Sequence, residues 1–320
     1  MEVYEYDEVD PLAVLHLNLL CLGFPLTPER VAILREQDPR SFPFFAIYAR
    51  HGGVVTGQVG VFRLPVVSVQ GVEEVGGIWA VCIHPTSAYR GTASRLLDEA
   101  HSRMRAAGMR FSTLAADRQR MDHALYKKYG YEDVHAISSA IIASGALPHG
   151  TDLRAEQSGR ERLSTADWLF EQISRNHLGF ARRHLPFFSL LDQSEALSGQ
   201  DLWLLWKNGQ PVGYASAVAS KSILKIADLL LFEGVDPVAA VAAIARELKV
   251  SYVCIRTDRS AHINAYLQAG FRLVVQDWGA FMVRPLVDGV CADDFRRLFA
   301  VGTDRFLISY LDVTQAAAGG

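Results

Sequence analysis

The sequence predicts a mixed α/β protein in which one unit, a sheet flanked by helices, occurs twice in tandem. Three observations predict it. Short apolar runs of strand length alternate with helical stretches along the chain. That pattern fails once, near the middle, over 144–162 (SGALPHGTDLRAEQSGRER), where Gly, Pro, Ser and charge dominate as in a linker. The order of elements before the break then recurs after it, at an offset of about 140–160 residues, too long for a solenoid and suited to a duplicated domain. A length of 320 residues, about twice a typical domain, agrees.

Residues 11–28 (PLAVLHLNLLCLGFPLTP) contain no Asp, Glu, Lys or Arg, a run long enough to raise the question of a membrane span. His16, Asn18, three prolines and the preceding acidic EYDEVD argue instead for a buried amphipathic helix over 11–22. A signal peptide would want a basic start and a small-residue cleavage site. Residues 44–50 and 54–64 read as strands around the turn His51-Gly52-Gly53. The mostly apolar 75–83 (VGGIWAVCI) reads as a third strand, buried on both faces. After the loop 86–92, the positions Ala93, Leu96, Leu97, Ala100, Met104 and Ala107 share one face of a helix that Gly108 ends. A strand at 111–116, a short helix at 120–129 ended by Gly130, and a final strand over 131–143 complete the unit. In the second unit, 202–220 repeats the strand–turn–strand, 224–232 the buried strand, 237–248 the helix and 251–257 the next strand. NAYLQAGF (264–271) matches ALYKKYGY (124–131), and Asp258-Arg259 matches Asp117-Arg118. The boundaries expected are a first domain at 1–146, a linker at 147–162 and a second domain at 163–320.

Composition excludes several function classes. Lys+Arg is 32 against 35 Asp+Glu, a net charge of −3, so there is no overall electrostatic reason to bind nucleic acid or an anionic membrane. Cys21, Cys82, Cys254 and Cys291 form no Cys-x-x-Cys pair and no zinc-type spacing, so no metal and no disulfide framework are expected, and a reducing cytoplasmic compartment is the default.

Chemistry points to 81–97. There a buried strand gives way to a loop containing Gly91 and then directly to an amphipathic helix. Glycine allows a ligand to approach the backbone, and a helix start offers unpaired N–H groups and the positive end of a dipole, an anion cradle suited to phosphate. Arg90 adds a candidate charge-assisted bond. Many strand–loop–helix units, however, only turn a corner.

The segment 75–131 resembles the acetyl-CoA core of GNAT-type N-acetyltransferases, whose loop reads Arg/Gln-x-x-Gly-x-Gly/Ala and whose later helix ends in Leu-Tyr-x-x-x-Gly-Phe/Tyr. Here the loop reads Ala88-Tyr89-Arg90-Gly91-Thr92-Ala93, departing at Ala88, and the ending reads Leu125-Tyr126-Lys127-Lys128-Tyr129-Gly130-Tyr131. The whole is similar to the tandem, Eis-like branch. The resemblance implies two GNAT-like domains, acetyl-CoA as cosubstrate, and pairing of the pantetheine arm with Val81, Cys82 and Ile83. It further implies a pyrophosphate held by residues 88–93 and a cofactor contact at Gln119, where the family often has Asn. Tyr126 would be the general acid, and Glu74, with Glu73 beside it, stands where the family often draws its base. In the second unit Glu233, Asp236 and Pro237 stand where a pyrophosphate needs donors, so that unit is expected to be degenerate although Tyr266 is retained.

The expected activity is transfer of an acetyl group to a primary amine on a small molecule or peptide, with no nucleic-acid or membrane partner. The second unit would shape the acceptor cleft or mediate assembly, a homodimer included. Two rivals remain at this level: a non-catalytic acyl-CoA-binding regulator, and a transferase using another acyl or aminoacyl donor.

Overall fold

The computed structural model describes residues 2–311 apart from 24, 89, 119, 120, 137, 185, 258, 275–278 and 310. The first half runs β1 (Val3–Glu5), α1 (Pro11–Leu22), α2 (Pro28–Gln37), β2 (Ser41–His51), β3 (Val54–Ser68), β4 (Gly71–Ile83), α3 (Thr92–Ala106), β5 (Phe111–Asp117), α4 (Met121–Lys128), β6 (Glu132–Ala136) and β7 (Ser138–Ala143). The second runs β8 (Leu153–Gln157), α5 (Leu163–Ser174), β9 (Leu178–Gly179), α6 (Phe187–Gln193), β10 (Leu202–Lys207), β11 (Gln210–Ser220) and β12 (Ile223–Leu231). It continues with α7 (Pro237–Leu248), β13 (Tyr252–Thr257), α8 (Ser260–Gln268), β14 (Arg272–Val274), β15 (Gly279–Pro285), α9 (Ala292–Phe299) and β16 (Phe306–Leu307).

Local chemistry sets these elements. Asp10 accepts from the Leu12 amide at 3.0 Å, Pro11 opens α1, and Gly23 closes it at φ 64°. Only Val14, Leu17 and Asn18 of α1 are buried. Leu12, Leu19, Leu20 and Leu22 are exposed, so the amphipathic helix is wetter than its composition suggested. Among the described residues no helix is long and apolar enough to cross a membrane. The β2–β3 and β10–β11 turns are Gly52-Gly53 and Asn208-Gly209, all four at positive φ as a two-residue hairpin requires.

The strands form two mixed sheets. One has the order β1-β2-β3-β4-β5-β15-β6, with β9 and β16 at its margin; the other has the order β14-β7-β13-β12-β11-β10-β8. The last strand of each half therefore lies in the sheet of the other. β15 sits between β5 and β6, in register from Gly279↔Asp117 to Pro285↔Phe111. Reciprocally, β7 sits between β13 and β14, in register from Ser138↔Thr257 to Ala143↔Tyr252.

This corrects two expectations. The single strand over 131–143 is two strands in different sheets, because the chain crosses between them after Ala136. The segment 147–162 is not simply a linker, because β8 pairs with β10 from Leu153↔Lys207 to Gln157↔Trp203 and buries Leu153 and Ala155.

Helices cover both faces of each sheet. In the first, α1, α2 and α9 enclose one core and α3 and α4 the other. Phe295 and Phe299 of α9 are fully buried against Phe111, edge-on at 5.2 and 6.4 Å between centroids. In the second sheet α7 covers one face and α5 with α6 the other.

Candidate active site

The feature that positions the site is an early end to the β4–β5 ladder. These parallel strands pair only at Gly76↔Ser112 and Gly77↔Thr113. Further along, β4 carries a bulge opposite β3, where the register passes from Gly60↔Trp79 to Gln58↔Cys82. Ala80 within it takes the left-handed φ of 45°. A bulge bends its strand, and β4 leans away from β5. From Ile78 to Ile83 on β4, and from Leu114 to Asp117 on β5, no ladder bond joins the two strands among the described residues. The result is a wedge whose open end leads to the loop after β4.

In that loop Pro85–Ser87 form one 3-10 turn, Ala88 ends it, and Arg90 is exposed. Gly91 at φ 79° precedes α3, where no side chain caps the helix. A Cβ at Gly91 would meet nothing within 4 Å, so its surroundings are open, while its φ is one that L side chains rarely adopt. The first backbone donors of α3, on Thr92 and Ala93, have no acceptor inside the helix. They stand at the positive end of its dipole. Tyr89 and Gln119 lie outside the described residues.

Val81 and Ile83 turn toward the α3 side, whereas Cys82 is buried on the α1 side. The Cys82 thiol donates to Asn18 Oδ1 at 4.0 Å. Its closeness to Cys21 holds the Cys21 thiol down to about 7, and that neighbour together with burial raises Cys82. Cys82 thus lends the wedge its backbone, and its side chain belongs to packing. Tyr126 is 6% exposed. Its ring shares a core with Leu114 and Ala116 of β5, the wall of the wedge, and meets Tyr131 edge-on at 5.9 Å.

Glu74 is not brought to this site. It lies three residues on the far side of Gly77, on the closed end of the wedge, and forms an ion pair with Arg63. Glu73 is likewise held by Arg110 at 2.8 Å. Both carboxylates serve the distal end of β4, a placement that strand assignment alone could not reveal.

The sequence reading missed a buried polar chain beneath α3. Arg284 of β15 donates to His101 Nδ1 at 2.9 Å. His101 Nε2 then donates to the Tyr131 hydroxyl at 2.7 Å, and that hydroxyl donates to Ser112 Oγ at 2.6 Å. The direction follows because a guanidinium can only donate. The available signal was position: His101 lies on the apolar stripe between Leu97 and Met104. Burial, with Arg284 and Arg105 nearby, pushes His101 down to about 3.

Between that value and the ordinary one near 6.5 the unfolded chain binds the extra proton, so this contribution to stability is present above about 6.5 and is lost as pH falls toward 3. Urea unfolding at pH 7 and pH 4.5 should show a loss of stability that is smaller in His101→Gln; equal losses in both proteins would rule out this histidine as the cause.

In the second half the equivalent helix start is blocked. Asp236 accepts from the Val238 amide at 2.9 Å, and Pro237 at the first position has no donor. No His, Cys, Asp and Glu group among the described residues could hold a metal.

Residues 15–134 match the model of the acetyltransferase (GNAT) domain. A probable N-acyltransferase from Enterococcus faecalis superposes with a TM-score of 0.67 at 13% identity, over 89% of this chain and 72% of that one. Eis1 from Mycobacterium abscessus does so at 0.59 and 12%, over 89% and 73%. A tandem GNAT protein from the clavulanic acid biosynthesis pathway does so at 0.56 and 14%, over 90% and 100%. This is the tandem GNAT fold. No curated protein matches the chain at a significant level. The wedge, the Gly91 loop and the α3 start all fall within the matched GNAT domain, and the exchanged strand β15 completes its sheet from outside the match.

Proposed function

We propose that the first half is an N-acetyltransferase acting on acetyl-CoA and a primary amine by direct attack. The observation that carries this reading is the uncapped α3 start behind Gly91, at the open end of the β4–β5 wedge. Amide donors and a dipole there suit a pyrophosphate, and free strand edges suit an extended amide-bearing arm. The main chains of Val81 and Ile83 bind and orient that arm, with Cys82 as the residue between them. Residues 88–93, including Arg90, Thr92 and Ala93, hold the diphosphate.

Acetyl-CoA supplies the activated thioester. The amine nitrogen bonds to the carbonyl carbon, the carbon–sulfur bond breaks, and the sulfur takes a proton from Tyr126. The reference values, about 10 for tyrosine and 8.5 for a thiol, make that transfer uphill by roughly 2 kcal/mol. The proton lost by the amine leaves through water, since Glu74 stands apart, and water returns a proton to the Tyr126 oxygen. The second half completes the sheet and flanks the acceptor side.

Gly91→Glu tests this. It places a negative charge and bulk in the cradle, and its left-handed φ costs about 1–2 kcal/mol of stability. Isothermal titration should show one acetyl-CoA per wild-type chain and none in the variant. Gly91→Asn, which tolerates this φ and adds no charge, should retain binding. Thiol release with an amine panel then reports transfer. Unimpaired acetyl-CoA binding by Gly91→Glu would place the cradle elsewhere, and binding without thiol release on any amine would remove the enzymatic reading.

A further inference from the structure

The second half repeats the wedge. β12 and β13 pair in parallel from Ile223↔Tyr252 to Ile226↔Ile255, where the ladder stops. Beyond that point lies a cavity of about 40 Å³ between the strands. Asp228, Arg256, Thr257, Arg259, His262 and Tyr266 line it, and Leu307 and Ile308 close one side. It is larger than the roughly 10–15 Å³ that admits one water, and far too small for a coenzyme.

Among the described residues, three buried polar atoms of this lining have no hydrogen-bond partner: Thr257 Oγ1, Arg259 Nη2 and the Tyr266 hydroxyl. Tyr266 is fully buried and Thr257 is 5% exposed. All three can donate, and one is cationic. A buried donor left unpaired is costly, and three on one cavity mark a place made for an acceptor. The single carboxylate in the lining is already engaged: Asp228 accepts from Ser309 Oγ at 2.8 Å and from the Tyr214 hydroxyl at 3.4 Å. With two arginines against one aspartate, the lining carries net positive charge at neutral pH. Arg259 also stands at the start of α8, which has no side-chain cap and adds the positive end of its dipole. Meanwhile Leu307, Ile308 and the Ser309–Asp228 bond lay the chain's own C-terminal segment against the wedge, where a pantetheine arm would otherwise run.

We propose that this second wedge is a binding site for one small oxyanion, a phosphate or carboxylate, held by Arg259, Thr257 and Tyr266. The site is separate from the first-half cradle and does not depend on acetyl-CoA being its ligand. Water alone would satisfy the hydroxyls but would offer the Arg259 guanidinium no negative charge. The retained Tyr266 hydroxyl, with no cofactor cradle beside it, then has a partner.

The test is isothermal titration of the full chain with inorganic phosphate and, separately, acetate, at constant ionic strength set with chloride. One saturable site per chain is expected for at least one of them, and the stronger anion identifies the source. Arg259→Gln should weaken it at least tenfold, and Tyr266→Phe, which removes only a hydroxyl and keeps the fold, should weaken it severalfold. Gly91→Glu should leave it in place. Absence of saturable binding by either anion overturns the proposal. So does binding that survives Arg259→Gln and Tyr266→Phe but disappears in Gly91→Glu, which would assign the anion to the first-half cradle.

Discussion

A chain cut after residue 146 should yield no folded first half. Its sheet would lack β15, which lies between β5 and β6 and is in register with seven residues of β5. It would also lose Phe281 of that strand and Phe295 and Phe299 of α9, all of them buried in its core. Removing a buried Phe side chain costs about 3–5 kcal/mol, and three together cost about 9–15 kcal/mol, comparable to the roughly 5–15 kcal/mol by which a domain is stable. Phe111 would be left facing solvent, and two long strand edges would invite aggregation. Residues 1–146 expressed alone should therefore be insoluble or give a collapsed amide spectrum. Co-expression with 147–320 should restore a soluble complex through strand exchange. A dispersed spectrum from 1–146 alone would contradict the exchanged arrangement.

Tyr126→Phe should lower kcat for acetyl transfer by about 10²–10⁴-fold, the usual contribution of general acid catalysis, with little change in the KM for acetyl-CoA. The substitution preserves the ring, and the ring is what packs against Tyr131 and β5, so stability should change little. The loss would then report the hydroxyl as proton donor to the departing sulfur. Because the donor is weaker than the thiol it protonates, the deficit should shrink as pH falls below about 8.5, where a free thiolate is protonated by solvent. An unchanged kcat across pH 6 to 9 would assign that proton to water.

Legibility varied with how local the signal was. α7 over 237–248 was readable because Asp236, Pro237 and a run of apolar residues specify start and face within a few residues. α3, whose stripe of Leu96, Leu97, Ala100 and Met104 ends at Gly108, was readable for the same reason. The Gly91 loop was visible as a glycine between a buried strand and a helix. Glu74 adjoins the apolar run 75–83 in sequence, but it lies inside β4 at the closed end of the wedge, where its neighbour is Arg63. His101 carries no local signal, because its chain of partners, Arg284, Tyr131 and Ser112, comes from separate strands and turns. The bulge at Ala80 gave no signal, since alanine rarely takes a positive φ.

By itself the sequence determined that two α/β units lie in tandem, that the α3 start behind Gly91 has no capping side chain, and that the α7 start is capped by Asp236. Hydrophobic period, glycine positions and capping residues are local, and they act whatever the chain does at long range. Tertiary structure decided which sheet receives each final strand. An apolar strand such as Gly279–Pro285 fits either sheet by composition, and only the competition between two nearly equivalent slots selects one. It also decided that β4 and β5 part after Gly77, and that the second wedge is closed by Leu307–Ser309 while three donors inside it have no partner among the described residues. These outcomes depend on contacts between residues far apart in the chain, whose energies no local pattern records.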